Sequence, residues 1–199
     1  MRPWLPVILG LTLLHPAGAQ RTVRLTLGAT RSSDLAHDAI LDNTVLKLAV
    51  APSATIGVAV PINAAGSYRL VMEAAYGTSK MTAGDSNGGT SDLGSLATIT
   101  TRAMVDGHLR GAVRWQVGAG MLFYRPANHS GVFLEGPTHR YLATAGMSWS
   151  RPITRGLDLL VLGRYSFQEF ITPILVTRGY SSYQTVHRLG LHVGVERRF

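Results

Sequence analysis

Apolar and polar residues alternate with a period of two through most of this chain, and helical periodicity is missing outside one short stretch. In the last such segment, Leu189, Leu191 and Val193 alternate with polar residues or glycine. Segments with this pattern predict eight strands, near residues 22–31, 46–61, 67–78, 95–105, 109–124, 140–151, 157–168 and 185–199. The alternation therefore predicts an all-β fold in which each strand has one apolar and one polar face.

The connections between these segments alternate in length. The long ones occupy residues 33–45, 80–94, 125–139 and 170–183, and the tight ones lie near 62–66, 106–108 and 152–156. The tight connections contain turn residues, namely Asn63 with Gly66, Asp106-Gly107 and Gly156. This alternation predicts an antiparallel up-and-down meander, with the long loops at one end and the short turns and both termini at the other.

The stretch from Ser33 to Leu41 is the exception to the strand pattern. Ser33 could accept hydrogen bonds from the first backbone N–H groups of a short helix, as N-terminal capping residues do. We therefore expect one or two helical turns in the first long loop.

The first nineteen residues have the three parts of a secretory signal peptide. Met1-Arg2 supplies a positive charge, residues 4–14 are mostly apolar, and Ala17-Gly18-Ala19 has the small-residue pattern of a cleavage site. The prediction is a signal peptide at residues 1–19, cleaved after Ala19 on export by the Sec pathway, and a mature domain at 20–199. No other apolar stretch reaches the roughly 18 residues that a membrane-spanning helix needs.

The charge of the chain, +8 from 19 Lys and Arg against 11 Asp and Glu, is at first sight that of a nucleic-acid-binding protein. Charged residues make up only 15% of the sequence, however, against about 25% in an ordinary soluble domain. Cysteine is absent from the sequence, which excludes disulfides, thiolate metal sites and iron–sulfur clusters. The low charge content favours a protein whose surface faces lipid.

The polar face of the strands is rich in Arg, Thr, Ser, Gln and Gly, unlike the Lys and Glu of a solvated surface. Its glycines are Gly28, Gly57, Gly77, Gly118, Gly120, Gly146, Gly190 and Gly194. The interior of an eight-stranded barrel is just wide enough for side chains, so small residues there make room for large ones. A lipocalin-like soluble barrel has its apolar face inside. The pattern favours the opposite arrangement, an outer-membrane barrel with apolar residues facing lipid.

Aromatic residues lie towards strand ends on the apolar face, where amphipathic rings suit the level of lipid headgroups. The predicted girdle consists of Tyr68, Tyr76, Trp115, Phe123, Tyr141, Trp149, Tyr165 and Phe167. The prediction is an all-β, eight-stranded antiparallel up-and-down transmembrane β-barrel, with short turns in the periplasm and long loops outside the cell. Pro52 interrupts the second strand, so either a bulge lies there or the membrane crossing begins near Ser53.

The signal peptide, the eight alternating strands and the ending Val193-Gly194-Val195-Glu196-Arg197-Arg198-Phe199 resemble the small bacterial outer-membrane barrels of the OmpA, OmpX and OmpW type. That resemblance implies a porin-like protein in the outer membrane of a Gram-negative envelope, in contact with membrane lipid and lipopolysaccharide. It also implies that Phe199 acts as an assembly signal for the barrel-assembly machinery. We expect a monomer without a nucleic-acid partner.

A set of charged residues is predicted to face the lumen: Arg24, Lys47, Arg69, Glu73, Arg102, Arg110, Arg114, Asp158, Arg164, Arg188, Glu196 and Arg198. Charges in a barrel interior must be paired or hydrogen-bonded, and the carboxylates of Glu73, Asp158 and Glu196 are too few for the cations. The lumen should therefore stay positive and partly hydrated. We interpret the set as a structural ionic network, with a narrow anion-preferring pore as the alternative.

His129-Ser130 with Glu135 resembles the Ser, His and Glu grouping of outer-membrane lipid A deacylases. Nucleophilic catalysis needs Ser and His side by side with a carboxylate behind them, which adjacent loop residues do not provide. His187 and His192 fall on opposite faces of the last strand and cannot share a metal.

We therefore predict no catalytic residues, metal or cofactor. The expected function is a non-enzymatic integral outer-membrane protein that supports envelope structure or surface interaction through four long extracellular loops. The narrow pore and a lipid-modifying enzyme are the alternatives.

Overall fold

The computed structural model describes residues 21–37, 45–84, 89–128, 133–134, 136–177 and 184–199. Its strands are β1 (Thr22–Ser32), β2 (Ala36–His37), β3 (Val45–Leu48), β4 (Ala51–Pro61), β5 (Tyr68–Gly84), β6 (Thr90–Arg110), β7 (Val113–Pro126), β8 (Thr138–Thr154), β9 (Leu157–Phe170) and β10 (Gln184–Arg198). The helix α1 spans Pro173–Thr177. The predicted signal peptide with Ala19, and the residues His129, Ser130 and Glu135, lie outside the described residues.

Eight strands close into an antiparallel ring in the order β4, β1, β10, β9, β8, β7, β6 and β5, and β5 pairs with β4 to complete it. The closing seam joins the two ends of the chain, because Thr22 in β1 lies opposite Arg198 in β10. β3 pairs with β5 beyond the end of β4, and β2 pairs with β3. The predicted eight-stranded up-and-down barrel is confirmed.

Short connections lie at one end of the barrel, which we call the turn end, and long ones at the other, the loop end. At the first tight turn the N–H of Gly66 donates to the carbonyl of Asn63 at 3.0 Å, with Gly66 at φ 64°. The N–H of Phe199 donates to the carbonyl of Arg21 at 2.9 Å, so both described chain ends lie here. The turns predicted at Asn63 and Gly156 are confirmed.

The turn predicted at Asp106-Gly107 is wrong. β6 continues through these residues to Arg110, and the chain reverses at residues 111–112, with Gly111 at φ 57°. Asp-Gly is a strong local turn signal, but here Asp106 is buried inside the barrel and Trp115 covers Gly107. Tertiary contacts thus override the local preference.

The long loop predicted at residues 80–94 is mostly a hairpin, because β5 and β6 pair as far as Gly84 and Thr90. The 17 residues of β5 span about 56 Å at about 3.3 Å per residue. At a strand tilt of about 40° this corresponds to a height of about 43 Å. An apolar band of an outer-membrane barrel is only about 25 Å tall, so the hairpin extends well beyond it.

The second predicted strand is divided into β3 and β4. Leu48 lies opposite Met81, and Ser53 lies opposite Gly77, so five residue steps on one strand oppose four on the other. One extra residue in a strand is a β-bulge. The bulge that Pro52 predicted is therefore present, just before the proline.

The described part of the first loop is not helical, so the expectation of a helix from Ser33 is wrong there. The Ser33 N–H donates to the carbonyl of His187 at 2.8 Å, and the His187 N–H donates to Ser33 Oγ at 3.0 Å. These bonds extend the β1–β10 pairing, and β2 follows two residues later. Residues 38–41 lie outside the described part of the chain.

A single helical turn, α1, lies in the fourth long loop. The Leu175 N–H donates to Thr172 Oγ1 at 3.4 Å, so Thr172 caps the N-terminus of the helix. Pro173 occupies the first helical position, where a backbone N–H would have no partner within the helix and its absence therefore has no cost. No helix in the described residues is long and apolar enough to span a membrane.

The outer wall of the barrel is apolar and the interior is largely polar. In β1, Leu25 and Leu27 are 54% and 64% exposed, whereas their neighbours Arg24 and Thr26 are each only 2% exposed. This inverts the arrangement of a water-soluble barrel. The predicted orientation, with the apolar face outward and the polar face inward, is confirmed.

Candidate functional site in the barrel lumen

The turn end of the lumen is filled by a set of paired charges that we call the ionic network. It consists of Arg24, Arg69, Glu73, Asp106, Arg114, Gln116, Arg164 and Glu196. The side chains come from β1, β5, β6, β7, β9 and β10. The network therefore links nearly every strand of the ring across the barrel axis.

Asp106 is the centre of the ionic network and is completely buried. Its Oδ2 accepts hydrogen bonds from Arg24 Nη2 at 2.9 Å and from Arg69 Nη2 at 3.1 Å. Arg114 Nε donates to Oδ1, and Gln116 Nε2 donates to Oδ2 at 3.1 Å. Three guanidinium groups and an amide thus satisfy one carboxylate, as a buried charge requires.

Two further carboxylates complete the ionic network. Glu196 accepts from Arg24 Nε at 2.6 Å and from Arg69 Nη1 at 2.7 Å. Glu73 forms an ion pair with Arg164 Nη1 at 2.8 Å, and Arg24 Nη1 lies 3.9 Å from it. These contacts fill the turn end of the lumen with paired side chains that are 0 to 14% exposed.

The predicted lumen charges are mostly inside the barrel. Those placed in the interior are Arg24, Arg69, Glu73, Arg102, Arg114, Asp158, Arg164, Arg188 and Glu196. Arg198 lies at the rim of the turn end, where its partly exposed guanidinium donates to both oxygens of Asp158 at 2.7 to 3.1 Å.

Two of the predicted lumen charges, Lys47 and Arg110, are instead exposed. The bulge after β3 shifts the alternation by one residue, so Leu46 faces inward and Lys47 outward. Arg110 is the last residue of β6 and precedes the turn, outside the barrel interior.

Sequence reasoning missed Asp106 and Gln116. The sequence predicts Asp106 in a turn, and Gln116 is not among the residues predicted to interact in the lumen. Gln116 could have been found from its position two residues after Arg114, which places both side chains on the inward face of β7. Nothing in the local sequence distinguishes Asp106 from a turn residue.

A small cavity lies in the middle of the lumen, and we call it the cationic chamber. Its lining consists of Thr30, Arg102, Arg164, Ser166, Arg188, Gly190 and His192. Several nitrogens here are buried without a hydrogen-bond partner among the described residues: Arg102 Nε, Arg164 Nε, Arg188 Nε, Arg188 Nη1 and His192 Nδ1. The chamber therefore concentrates positive charge and unused N–H groups.

His192 also forms a hydrogen-bonded pair with Ser53, Oγ to Nε2 at 2.9 Å. A hydrolytic triad would need a carboxylate on the other ring nitrogen, Nδ1. That nitrogen has no partner in the described residues, and its neighbours in the chamber are arginines. The pair is a structural contact in this geometry and lacks the group that would orient a catalytic base.

His187 lies on the outer face of β10, where the Tyr165 hydroxyl is 2.6 Å from its Nδ1. The prediction that His187 and His192 lie on opposite faces is confirmed, since His192 is buried inside. Within the described ranges, no three His, Asp or Glu side chains are grouped so as to hold a metal ion.

The loop end of the lumen is filled by apolar side chains, which we call the mouth cluster. Its buried members are Leu35, Ala36, Leu46, Met81, Leu96, Leu122, Tyr124, Phe133, Leu142, Phe170, Leu175 and Val186. Tyr124, Phe133 and Phe170 contact one another, with ring centroids 5.4 to 6.1 Å apart. Edge-to-face contacts of this kind add to the hydrophobic term.

Three of the long loops each contribute a side chain to the mouth cluster. Leu35 comes from the first loop, Phe133 from the third, and Leu175 from α1 in the fourth. These residues are 0 to 3% exposed, so each anchors the described part of its loop at the barrel mouth. The prediction of a polar lumen did not include this layer.

Interior glycines make room for the large polar side chains opposite them. A Cβ at Gly57 would lie 2.6 Å from Cγ of Glu73, and one at Gly28 would lie 2.7 Å from the ring of His192. Both distances are too short for carbon atoms. The expected role of the inward glycines therefore agrees with the packing at these two positions.

The eight residues of the predicted aromatic girdle all lie on the outer face. Tyr68 and Trp115 contact each other edge to face at the turn end, with centroids 6.2 Å apart. Tyr76 in β5 and Phe123 in β7 lie nearer the loop end. They flank Ile99 of β6, which lies opposite both of them in the sheet. Tyr141, Trp149, Tyr165 and Phe167 are exposed as well. Whether they contact headgroups stays a prediction.

No protein-family model matches this sequence, and no curated protein is similar to it in sequence. Solved structures do share its architecture. The outer membrane protein OprG from Pseudomonas aeruginosa is 9% identical, with a TM-score of 0.54 over 91% of this chain and 96% of that one. The outer membrane protein AlkL, solved in lipid bilayers, is 11% identical, with a TM-score of 0.53 over 91% of this chain and 89% of that one.

These likenesses concern the fold, because the identities are low. The structure resembles small eight-stranded bacterial outer-membrane barrels, as the sequence pattern had indicated. The fold and the apolar outer wall are those of an integral outer-membrane β-barrel protein.

Proposed function

We propose that this chain is a non-enzymatic, non-conducting outer-membrane protein that acts through the loop surface it presents outside the cell. One observation carries this proposal: the lumen is filled at both ends, by the ionic network at the turn end and by the mouth cluster at the loop end. Eight strands leave little interior space in any case. In a barrel that does not conduct, the outer wall and the loops are the surfaces available for interaction.

The loop surface is suited to binding because a described residue in each of three loops is anchored to the barrel. Leu35, Phe133 and Leu175 are buried in the mouth cluster, which restricts the chain at these three points. Binding to a surface ordered in advance loses less conformational entropy than binding to free loops. The long β5–β6 hairpin adds a projection of paired strands beyond the apolar band.

Conductance in planar bilayers tests the non-conducting part of the proposal. We expect no current steps after insertion of the purified barrel, because the paired charges and the aromatic side chains block both ends. An open porin in the same bilayers shows that the assay detects channels. Steady anion-selective steps from this chain would overturn the proposal in favour of the narrow pore.

Single cysteines test the outward presentation of the loops, since the chain contains no cysteine of its own. Ser91 is exposed on the hairpin at the loop end, and Arg110 is exposed at the turn end. A membrane-impermeant maleimide should label Ser91→Cys on intact cells, and Arg110→Cys only after permeabilisation. The reverse pattern would contradict the proposed orientation.

A further inference from the structure

The cationic chamber contains more positive charge than its surroundings neutralise. The carboxylates of the ionic network are engaged by Arg24, Arg69, Arg114 and Arg164. Arg102 and Arg188 have no carboxylate within 4.0 Å among the residues that the structure describes. Arg188 is buried and Arg102 half-buried, and Glu73, which lies opposite Arg102, is already paired with Arg164. Because a buried charge without a close partner is strongly unfavourable, a further negative group between these guanidinium groups would be stabilising.

The unused donors of the chamber converge from different strands. Arg102 comes from β6, Arg164 from β9, and Arg188 and His192 from β10. Arg164 and Arg188 are 4% and 9% exposed, and each has a buried Nε without a partner in the described ranges. Donors from three strands thus surround one cavity. This arrangement suits an acceptor that can accept hydrogen bonds from several directions.

We propose that the cationic chamber binds one small inorganic anion of halide size. The cavity among these side chains is small and has room for a particle about the size of a water molecule or somewhat larger. A water molecule fits but brings no charge, whereas a halide neutralises one cation and accepts from several N–H groups at once.

The bound anion would act as a structural centre between the ionic network and the mouth cluster. It would link Arg102 of β6 and Arg188 of β10, which form no ion pair in the described residues, with Arg164 of β9, which already binds Glu73. This assignment concerns the interior, and it stands whether or not the loops act as proposed above.

Bromide replaces chloride and scatters anomalously, so it serves as the probe. Crystals of the full-length mature protein grown in sodium bromide should show an anomalous peak among Arg102, Arg164 and Arg188. A bromide peak elsewhere on the surface, with none in the chamber, would overturn the assignment. Density in the chamber without anomalous signal would do the same and would identify a water molecule.

Unfolding in detergent micelles gives a second readout. At constant ionic strength, chloride should stabilise the barrel relative to gluconate, which is too large for the chamber. At a chloride concentration 100 times the Kd, the unfolding equilibrium constant should fall about 100-fold. Equal stability in the two salts would contradict the proposal.

Two arginine substitutions separate site binding from a general salt effect. Arg188→Gln removes a chamber donor and should abolish most of the chloride dependence. Arg110→Gln removes the same charge at the exposed turn end and should keep it. Should Arg188→Gln fail to fold, Arg102→Gln makes the same test. Chloride dependence that survives in the folded chamber variant would overturn the proposal.

Discussion

The two ends of the barrel lumen are closed by different chemistry. At the turn end, Asp106 and Glu196 bind arginines through directed, short hydrogen bonds. At the loop end, Tyr124, Phe133 and Phe170 pack through contacts that have little directional requirement. Charged groups form good hydrogen bonds only when their partners are positioned to within a few tenths of an ångström. Strands joined by tight turns position side chains with that precision. Apolar packing tolerates the looser positioning of long loops.

The largest expected effect comes from the centre of the ionic network. Asp106→Asn keeps the shape of the side chain but leaves Arg24, Arg69 and Arg114 without their shared carboxylate. Removing one partner from a buried charge group costs about 3–5 kcal/mol. We expect a loss of about 4 kcal/mol in the free energy of unfolding, measured by urea titration in phospholipid vesicles.

Glu169→Gln is the matched control for that substitution, because Glu169 is exposed on the outer face near the loop end of β9. Its effect should be within about 0.5 kcal/mol of zero. Similar losses for the two variants would mean that the ionic network does not stabilise the barrel more than a surface charge does.

The next effect tests the loop end. Phe170→Ala removes a ring that contacts both Tyr124 and Phe133. Truncation of a buried Phe costs about 3–5 kcal/mol, and we expect about 3 kcal/mol because the loops can partly collapse into the space. Limited proteolysis should also become faster in the loops, while the Asp106→Asn barrel should be cut there at the original rate. Equal acceleration in both variants would argue that the two ends form one cooperative unit.

A pair of glycine substitutions tests the room that the interior needs. A Cβ at Gly28 would lie 2.1 Å from the Leu191 carbonyl oxygen, whereas a Cβ at Gly163 has nothing within 4 Å. Gly28→Ala should therefore cost about 2 kcal/mol through overpacking. Gly163→Ala should cost nothing or stabilise β9 by up to about 1 kcal/mol, since Ala loses less backbone entropy. A neutral Gly28→Ala would show that the interior can expand.

The smallest effect concerns an ion pair at the rim. Arg198 binds Asp158 with the same bidentate chemistry that the interior uses, but its side chain is 44% exposed. Exposed pairs contribute about 0–1 kcal/mol, so Arg198→Gln should cost less than about 1 kcal/mol, and less still in 1 M salt. A loss as large as that of Asp106→Asn would remove the distinction between rim and interior.

The fold could be predicted from the sequence because alternation is a local property of each strand. β9 was predicted at residues 157–168 and spans Leu157–Phe170, and β10 was predicted at 185–199 and spans Gln184–Arg198. The inward or outward direction of most charged residues followed from the same alternation. Where a bulge changes the alternation, as between Leu48 and Ser53, the direction predicted for Lys47 is wrong.

The pairing of the lumen charges could not be predicted, since it depends on the register between distant strands. Asp106 was assigned to a turn because Asp-Gly is a turn signal whatever the rest of the chain does. The mouth cluster was partly readable, because Leu122, Tyr124 and Leu142 occupy inward positions near the loop end. Their apolar character there contradicted a wholly polar lumen.

The seam between β1 and β10 has a consequence for the order of folding. Arg24 Nε and Glu196 Oε2, 2.6 Å apart across this seam, belong to residues separated by 172 positions. The ring can close only after the last strand has been synthesised, and contacts of such sequence separation form slowly. Until closure, Arg24 lacks Glu196, so the charged interior is incomplete in every earlier intermediate. Formation of the contact between Arg24 and Glu196 would favour the final step, the pairing of β1 with β10. Partly assembled barrels would therefore be less stable than the closed one.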